Sequence, residues 1–186
     1  MEWVDPAKPV LPQVYTADDQ IELELSVKCH PYSTENILQD ITVKLFYHHA
    51  KDVVLSGALA IEESMLLKLA SLQAIASYGP FISDVQDIFV KKLLRQEKFF
   101  PDEYDMTDES PAEVKTKIAA TYEQLGSLLK EDAMEEYLKT AARINGYGVE
   151  YYQVTTRERK NETLEVASSG MLLYPSTKVG SFRLAR

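Results

Sequence analysis

Tyr-Leu-Lys-Thr-Ala-Ala-Arg-Ile-Asn-Gly-Tyr-Gly-Val-Glu-Tyr-Tyr-Gln-Val, residues 137–154, decides how the chain is built. Leu138, Ala141, Ala142 and Ile144 recur at helical spacing. Gly146 and Gly148 bracket Tyr147 and suit a helix end where the backbone must reach positive φ. Val149, Tyr151, Tyr152 and Val154 are β-branched or aromatic, the side chains a strand prefers. The stretch reads as the last turns of a helix, a glycine stop, and the first strand of a new unit.

On the N-terminal side the pattern is helical. Ser33 or Thr34 can cap a helix with Glu35 in its first turn, running to about Leu55 and breaking at Gly57. Leu38, Ile41 and Leu45, with His49 or Val53, are its expected inward face. A second helix is expected from about Glu62 to Tyr78, stopped by Gly79-Pro80, with Met65, Leu66, Leu69, Leu72, Gln73 and Ala76 as its stripe. A third covers about Val85–Gln96, and an acidic loop follows at 100–110. Pro111 then suits the first turn of a fourth helix, capped by Ser110 and reaching about Leu128. A fifth runs from about Glu131 to Asn145.

Strand chemistry flanks this block. Ile21, Leu23, Leu25, Val27 and Cys29 alternate with polar residues, as in a half-buried strand. Beyond the glycines, strands are expected at Val149–Thr155, Thr163–Ala167 and Gly170–Tyr174, with a fourth beginning at Phe182. Strands 21–29 and 149–174 would lack partners unless they pair with each other or with another chain, which predicts exposed apolar edges and a tendency to associate. Residues 1–20, with Pro6, Pro9 and Pro12, read as extended or looped.

The 186 residues are 45% hydrophobic, enough for a substantial core and against wholesale disorder. No apolar run of about 18 residues is present to span a bilayer. The start lacks the basic-then-apolar pattern of a secretory leader. Cys29 is the single cysteine, so no disulfide forms within the chain. The formal net charge is −9, unevenly spread. Residues 101–136 hold 3 basic and 11 acidic groups, a net of −8, whereas residues 137–186 hold 8 and 4, a net of +4. The acidic total argues against a nucleic-acid binder, which needs a basic field, but leaves room for basic patches on an anionic membrane.

Several phrases, in order along almost the whole chain, resemble FERM modules. Residues 137–154 resemble "Y-L-x-x-A-x-x-L-x-x-Y-G-V", where the helical second lobe passes into the third. Trp3–Val10 resembles "W-L-D-x-x-K-x-I" near the end of the ubiquitin-like first lobe, and Ile21–Lys28 that lobe's closing strand. Leu45-Phe46-Tyr47 through Leu55-Ser56-Gly57 resembles "L-F-x-x-x-K-x-D-I-L-x-G". Leu69–Ala74 with Tyr78-Gly79 resembles "L-A-S-x-x-x-Q-A-x-x-G". Phe100–Tyr104 resembles "L-P-x-x-Y", and Gly170–Tyr174 the "G-I-L-I-Y" strand of the third lobe. Tyr78-Gly79-Pro80-Phe81 departs from the "G-D-Y" of ezrin and protein 4.1 relatives and is nearer the talin version.

The resemblance implies an α+β, mainly α fold: an acyl-CoA-binding-protein-like bundle of four to five helices over 33–146. Residues 1–32 would be the end of a ubiquitin-like lobe, and 147–186 the start of a PH/PTB-like sandwich. Both flanking lobes are shorter than the family's, so the expected object is a fragment, an isoform or a decayed copy. The implied function is non-enzymatic: a cytoplasmic adaptor, peripheral at the plasma membrane or cell cortex. It would link cytoplasmic tails of membrane proteins, or anionic phospholipid, to the actin cytoskeleton. The alternatives are a targeting module of a larger tyrosine phosphatase or kinase, and a helical domain without a ligand.

Two basic groups are candidates for phosphoinositide contact. Lys91, Arg95 and Lys98 fall within about 60° of one another on a helix, with apolar Phe89, Val90, Leu93 and Leu94 expected on the far side. Arg157, Arg159 and Lys160 occupy the first hairpin of the third lobe, in a loop that is basic in talin-like modules. The competing reading of both is a solvated surface. No nucleophile motif or phosphate loop occurs, and Glu131, Asp132, Glu135 and Glu136 suit a helix start. No cofactor and no metal is expected: His48 and His49 diverge by about 100° on a helix, and Cys29-His30 has no second pair.

Overall fold

The computed structural model describes residues 4–9, 12–13, 27, 29–31, 33–37, 39–80, 98–102, 111–155, 157 and 161–175. Among them are a 3-10 turn at Thr34–Asn36 and four helices: α1 Asp40–Leu55, α2 Glu63–Tyr78, α3 Pro111–Gln124 and α4 Lys130–Ala141. Three strands follow, β1 Glu150–Thr155, β2 Asn161–Ala167 and β3 Gly170–Pro175. The expected helix at about Val85–Gln96, the Ser110 cap and the strand from Phe182 lie outside the described residues. So does most of the strand expected at 21–29. Its two described members, Val27 and Cys29, carry no strand pairing, and Cys29 is exposed where the alternation had placed it inward.

The helical unit is Cys29–Val149 together with Ala167–Gly170, and α2 is its axis, packed against α3 and α4, while α1 packs on α4. Every residue from Leu69 to Ala76 is buried, so α2 has no outward side in its C-terminal half. The expected stripe on α2 is therefore correct but too narrow: Ala70, Ser71, Ala74 and Ile75 are buried as well. The polar members are satisfied locally. Ser71 Oγ donates to the Leu67 carbonyl at 2.9 Å and also lies 3.4 Å from that of Ile118 on α3. Gly79 ends α2 at φ +99, and its carbonyl accepts from the buried Tyr122 hydroxyl of α3 at 2.6 Å. Lys68 and Glu136 add an ion pair of 2.7 Å between α2 and α4. The same helices are joined by Lys130 Nζ, which donates to the Ser77 carbonyl.

The entry to α1 differs from the sequence reading. Ser33 does cap, but the chain it caps is a short turn: its hydroxyl accepts from the Glu35 amide at 3.2 Å. Ile37 and Gln39 are extended, so the helix proper begins only at Asp40. The inward face also differs. Ile41 is 63% exposed and Leu45 is 50% exposed, whereas Tyr47, Ala50 and Val54 are buried. Apolar residues occur on both sides of α1, at Ile41 and Leu45 and again at Val43, Phe46, Ala50 and Val54. Periodicity alone does not rank two such stripes. Aromatic packing does: the Tyr47 and Tyr137 rings meet edge to face at 5.1 Å, locking α1 to α4.

α3 stops at Gln124 and α4 at Ala141, four residues short of the ends expected for each. Tight turns continue both, and Ile144 stays buried within the second. Gly146 and Gly148 sit at φ +88 and +69, where side-chained residues are strained. The chain then enters an antiparallel sheet of order β1-β2-β3. Glu150 faces Val166 and Thr155 faces Asn161. Gln153 Nε2 donates to Thr163 Oγ1 at 3.0 Å across the same ladder.

Candidate functional site

Of the six basic candidates, Lys91, Arg95, Arg159 and Lys160 lie outside the described residues. Lys98 and Arg157 are described. Lys98 is tied to the helical unit by its backbone, because its carbonyl accepts from the buried Gln73 Nε2 of α2 at 2.9 Å. The next residue, Phe99, is buried. The Lys98 ammonium itself faces water and pairs with Asp102 Oδ2 at 2.7 Å. Such exposed pairs contribute about 0–1 kcal/mol, so Asp102 dilutes the local field without holding the lysine in place. Arg157 is exposed in the connection between β1 and β2, which the Thr155–Asn161 register sets at residues 156–160.

The exposed apolar surface expected of the strands is concentrated on β3. Met171 is 70% exposed, and Leu172 and Leu173 are more than half exposed. Neighbours on a strand point to opposite faces, so both faces of β3 present apolar side chains to water. An unbroken apolar run reads from sequence as a strand buried on both sides; that signal gives the strand and misplaces its surroundings.

A second convergence, within the helical unit, was not legible at all. The His30 ring packs against Phe46 at 6.1 Å, His49 at 5.2 Å and Tyr147 at 5.2 Å. Phe46 and His49 are one turn apart on α1, while Tyr147 comes from the glycine-bracketed exit after α4. A Cβ built on Gly148 would lie 3.0 Å from His30 Cγ and 3.2 Å from His30 Cβ. The glycine is thus the floor on which the imidazole rests. Burial pushes the Tyr147 phenol up to about 12, and Tyr137 is pushed well up by burial, with Tyr47, Tyr147 and Asp52 adding to it. His48, by contrast, is exposed and packs only against Tyr47 among the ring contacts. Among the described residues no cluster of three or more His, Cys, Asp or Glu forms a metal site. No described helix is long and apolar enough to cross a membrane.

The FERM central domain profile matches residues 33–152, more than half of the chain. The chain is 27% identical over 176 residues to Moesin/ezrin/radixin homolog 1 of Aedes aegypti, which covers 94% of this chain and 30% of that protein. It is also 27% identical to Moesin/ezrin/radixin homolog 1 of Culex quinquefasciatus, with the same coverage. The chain therefore spans about a third of the length of these relatives. Among solved structures, the FERM and C-terminal domain complex of Drosophila Merlin aligns with a TM-score of 0.72 at 25% identity. The match covers 81% of this chain and 50% of that one. The human Myosin 7b MyTH4-FERM domain, solved with harmonin-a PDZ3, shares the fold at a TM-score of 0.53 and 22% identity, over 85% of this chain and 34% of that one. The profile match takes in the four described helices and the glycine exit at 146–148, and the chain belongs to the FERM central domain family, as a partial FERM module.

Proposed function

We propose that this chain is a non-enzymatic adaptor of the membrane–cytoskeleton linker type. The observation that carries this reading is the continuous match of the FERM central domain over residues 33–152. Relatives named for moesin, ezrin, radixin and Merlin support it. In this reading residues 33–146 are the helical second lobe, an acyl-CoA-binding-protein-like bundle. Residues 1–32 and 147–186 are the end of a ubiquitin-like lobe and the start of a PH/PTB-like sandwich. The module works in the cytoplasm at the cell cortex and engages cytoplasmic tails of membrane proteins and actin-cytoskeleton proteins.

Its membrane contact is electrostatic, through Lys91, Arg95 and Lys98 and through Arg157, Arg159 and Lys160. Each basic side chain near an anionic surface contributes about 1 kcal/mol, so three in concert give a large change in partitioning. Lys98 and Arg157 are exposed, as this requires. Sedimentation with vesicles containing phosphoinositide tests the reading. The parent chain pellets with the vesicles, and reversing Lys91, Arg95 and Lys98 to glutamate sharply weakens this. Equal sedimentation of parent and triple variant removes that patch from the reading.

A further inference from the structure

We infer that His30 and His49 form a coupled proton-sensitive pair that fastens the entry of the helical lobe to its exit. His30 belongs to the chain entering the lobe, His49 to α1, and Tyr147 and Gly148 to the turn that leaves it. The two imidazole rings lie 5.2 Å apart, tilted by 44°. Neutral rings pack comfortably at that distance. Two imidazolium ions there repel, because charges this close are incompletely screened in a partly buried site. The His30 ring does not move aside cheaply. Gly148 backs the root of His30, and Phe46 and Tyr147 pack edge-on against its ring.

Among the described residues, the rings of Phe46 and His49 from α1 and of Tyr147 from the exit turn pack on His30, with Gly148 beneath it. Of these, His49 and Tyr147 are titratable. Tyr147 stays neutral throughout the range in which imidazoles titrate, since burial holds it near 12. The other charged side chains closest along these elements are Lys51 and Asp52 on α1 and Arg143 ahead of the turn. Comparing the parent with a His49 variant reports the coupling between the two imidazoles.

The chain has three histidines, so an NMR titration of the imidazole signals from pH 8 to 5 resolves each one. In the parent, the first proton to bind the pair holds off the second. His49→Gln raises the His30 midpoint by about half a pH unit or more, the scale of coupling expected between close titrating groups. His48→Gln, at the exposed neighbouring position, moves it less. Hydrogen exchange at Tyr147, Gly148 and Val149, corrected for intrinsic rate, speeds up on acidification in the parent and does so less in His49→Gln. An unchanged His30 midpoint in His49→Gln overturns the inference. Should His49→Gln fail to fold, His30→Phe keeps an aromatic ring on Gly148. The His49 midpoint then rises in that variant if the pair is coupled, and stays put if it is not.

Discussion

Replacing Gly148 by alanine tests whether the exit of the helical lobe is shaped by His30. Gly148 sits at φ +69, inside the left-handed region. A non-glycine residue there costs about 1–2 kcal/mol, and the loss of unfolded-state freedom returns about 0.4–1 kcal/mol. That leaves a backbone effect of about 0.5–1 kcal/mol. The new Cβ would lie 3.0 Å from His30 Cγ and 3.2 Å from its Cβ, atoms close to the backbone that cannot swing away. Displacing the ring off its rotamer adds about 0.5–1.5 kcal/mol. The expected total is about 1–2.5 kcal/mol of destabilisation. Gly146→Ala provides the contrast: its φ is +88, but the nearest neighbour of a new Cβ is the flexible Leu59 Cδ2 at 3.4 Å. Urea unfolding followed by far-UV circular dichroism measures each variant in the parent and in a His30→Ala background. Removing the ring should lower the cost of Gly148→Ala by about 0.5–1 kcal/mol, a coupling typical of touching residues. It should leave that of Gly146→Ala unchanged. Additive energies for Gly148→Ala and His30→Ala would refute the contact as the source of the penalty.

Three further outcomes follow from the same structure. Tyr122→Phe strips the donor from the Gly79 carbonyl at the end of α2 and should cost about 1–3 kcal/mol in urea unfolding, the price of a buried unsatisfied acceptor. Ile41→Ser and Leu45→Ser should change stability by less than about 0.5 kcal/mol, whereas Val54→Ala on the opposite side of α1 should cost about 1–3 kcal/mol; the reverse ranking would restore the inward face first expected for this helix. Tyr137 and Tyr147 both have raised folded-state values, so their contribution to stability is intact below the unfolded phenol's value of about 10. It is lost as pH climbs from there through about 12, the value for Tyr147. Phenolate absorbance should show a late-ionising fraction that merges with the rest only on unfolding, and a Tyr147→Phe variant should lose part of it.

The order of elements was legible because each boundary carries its own chemistry. Gly79, Gly146 and Gly148 mark places where only a residue without Cβ is comfortable, and all three sit at positive φ. The strands after 149 were legible from β-branched and aromatic content. What sequence did not settle was direction. α1 offers apolar residues on two sides, and the choice between Ile41–Leu45 and Tyr47–Ala50–Val54 is made by Tyr137, ninety positions from Tyr47 along the chain. The false extension of α1 back to Ser33 has a similar root: a capping hydroxyl states that a turn begins, not how long it lasts. For the candidate site, lysine and arginine types pointed to an anionic surface. The His30–His49 approach left no spacing signal, because its two members are brought together by tertiary packing.

α2 also limits how this lobe can be read by another molecule. A helix whose residues Leu69–Ala76 are all buried offers a partner nothing to touch over that stretch. Recognition must be written on the outer helices, where side chains can change without loosening the centre. The silent helix then acts as a common ruler: a ligand pressing on α3 and one pressing on α4 both push against the same rod.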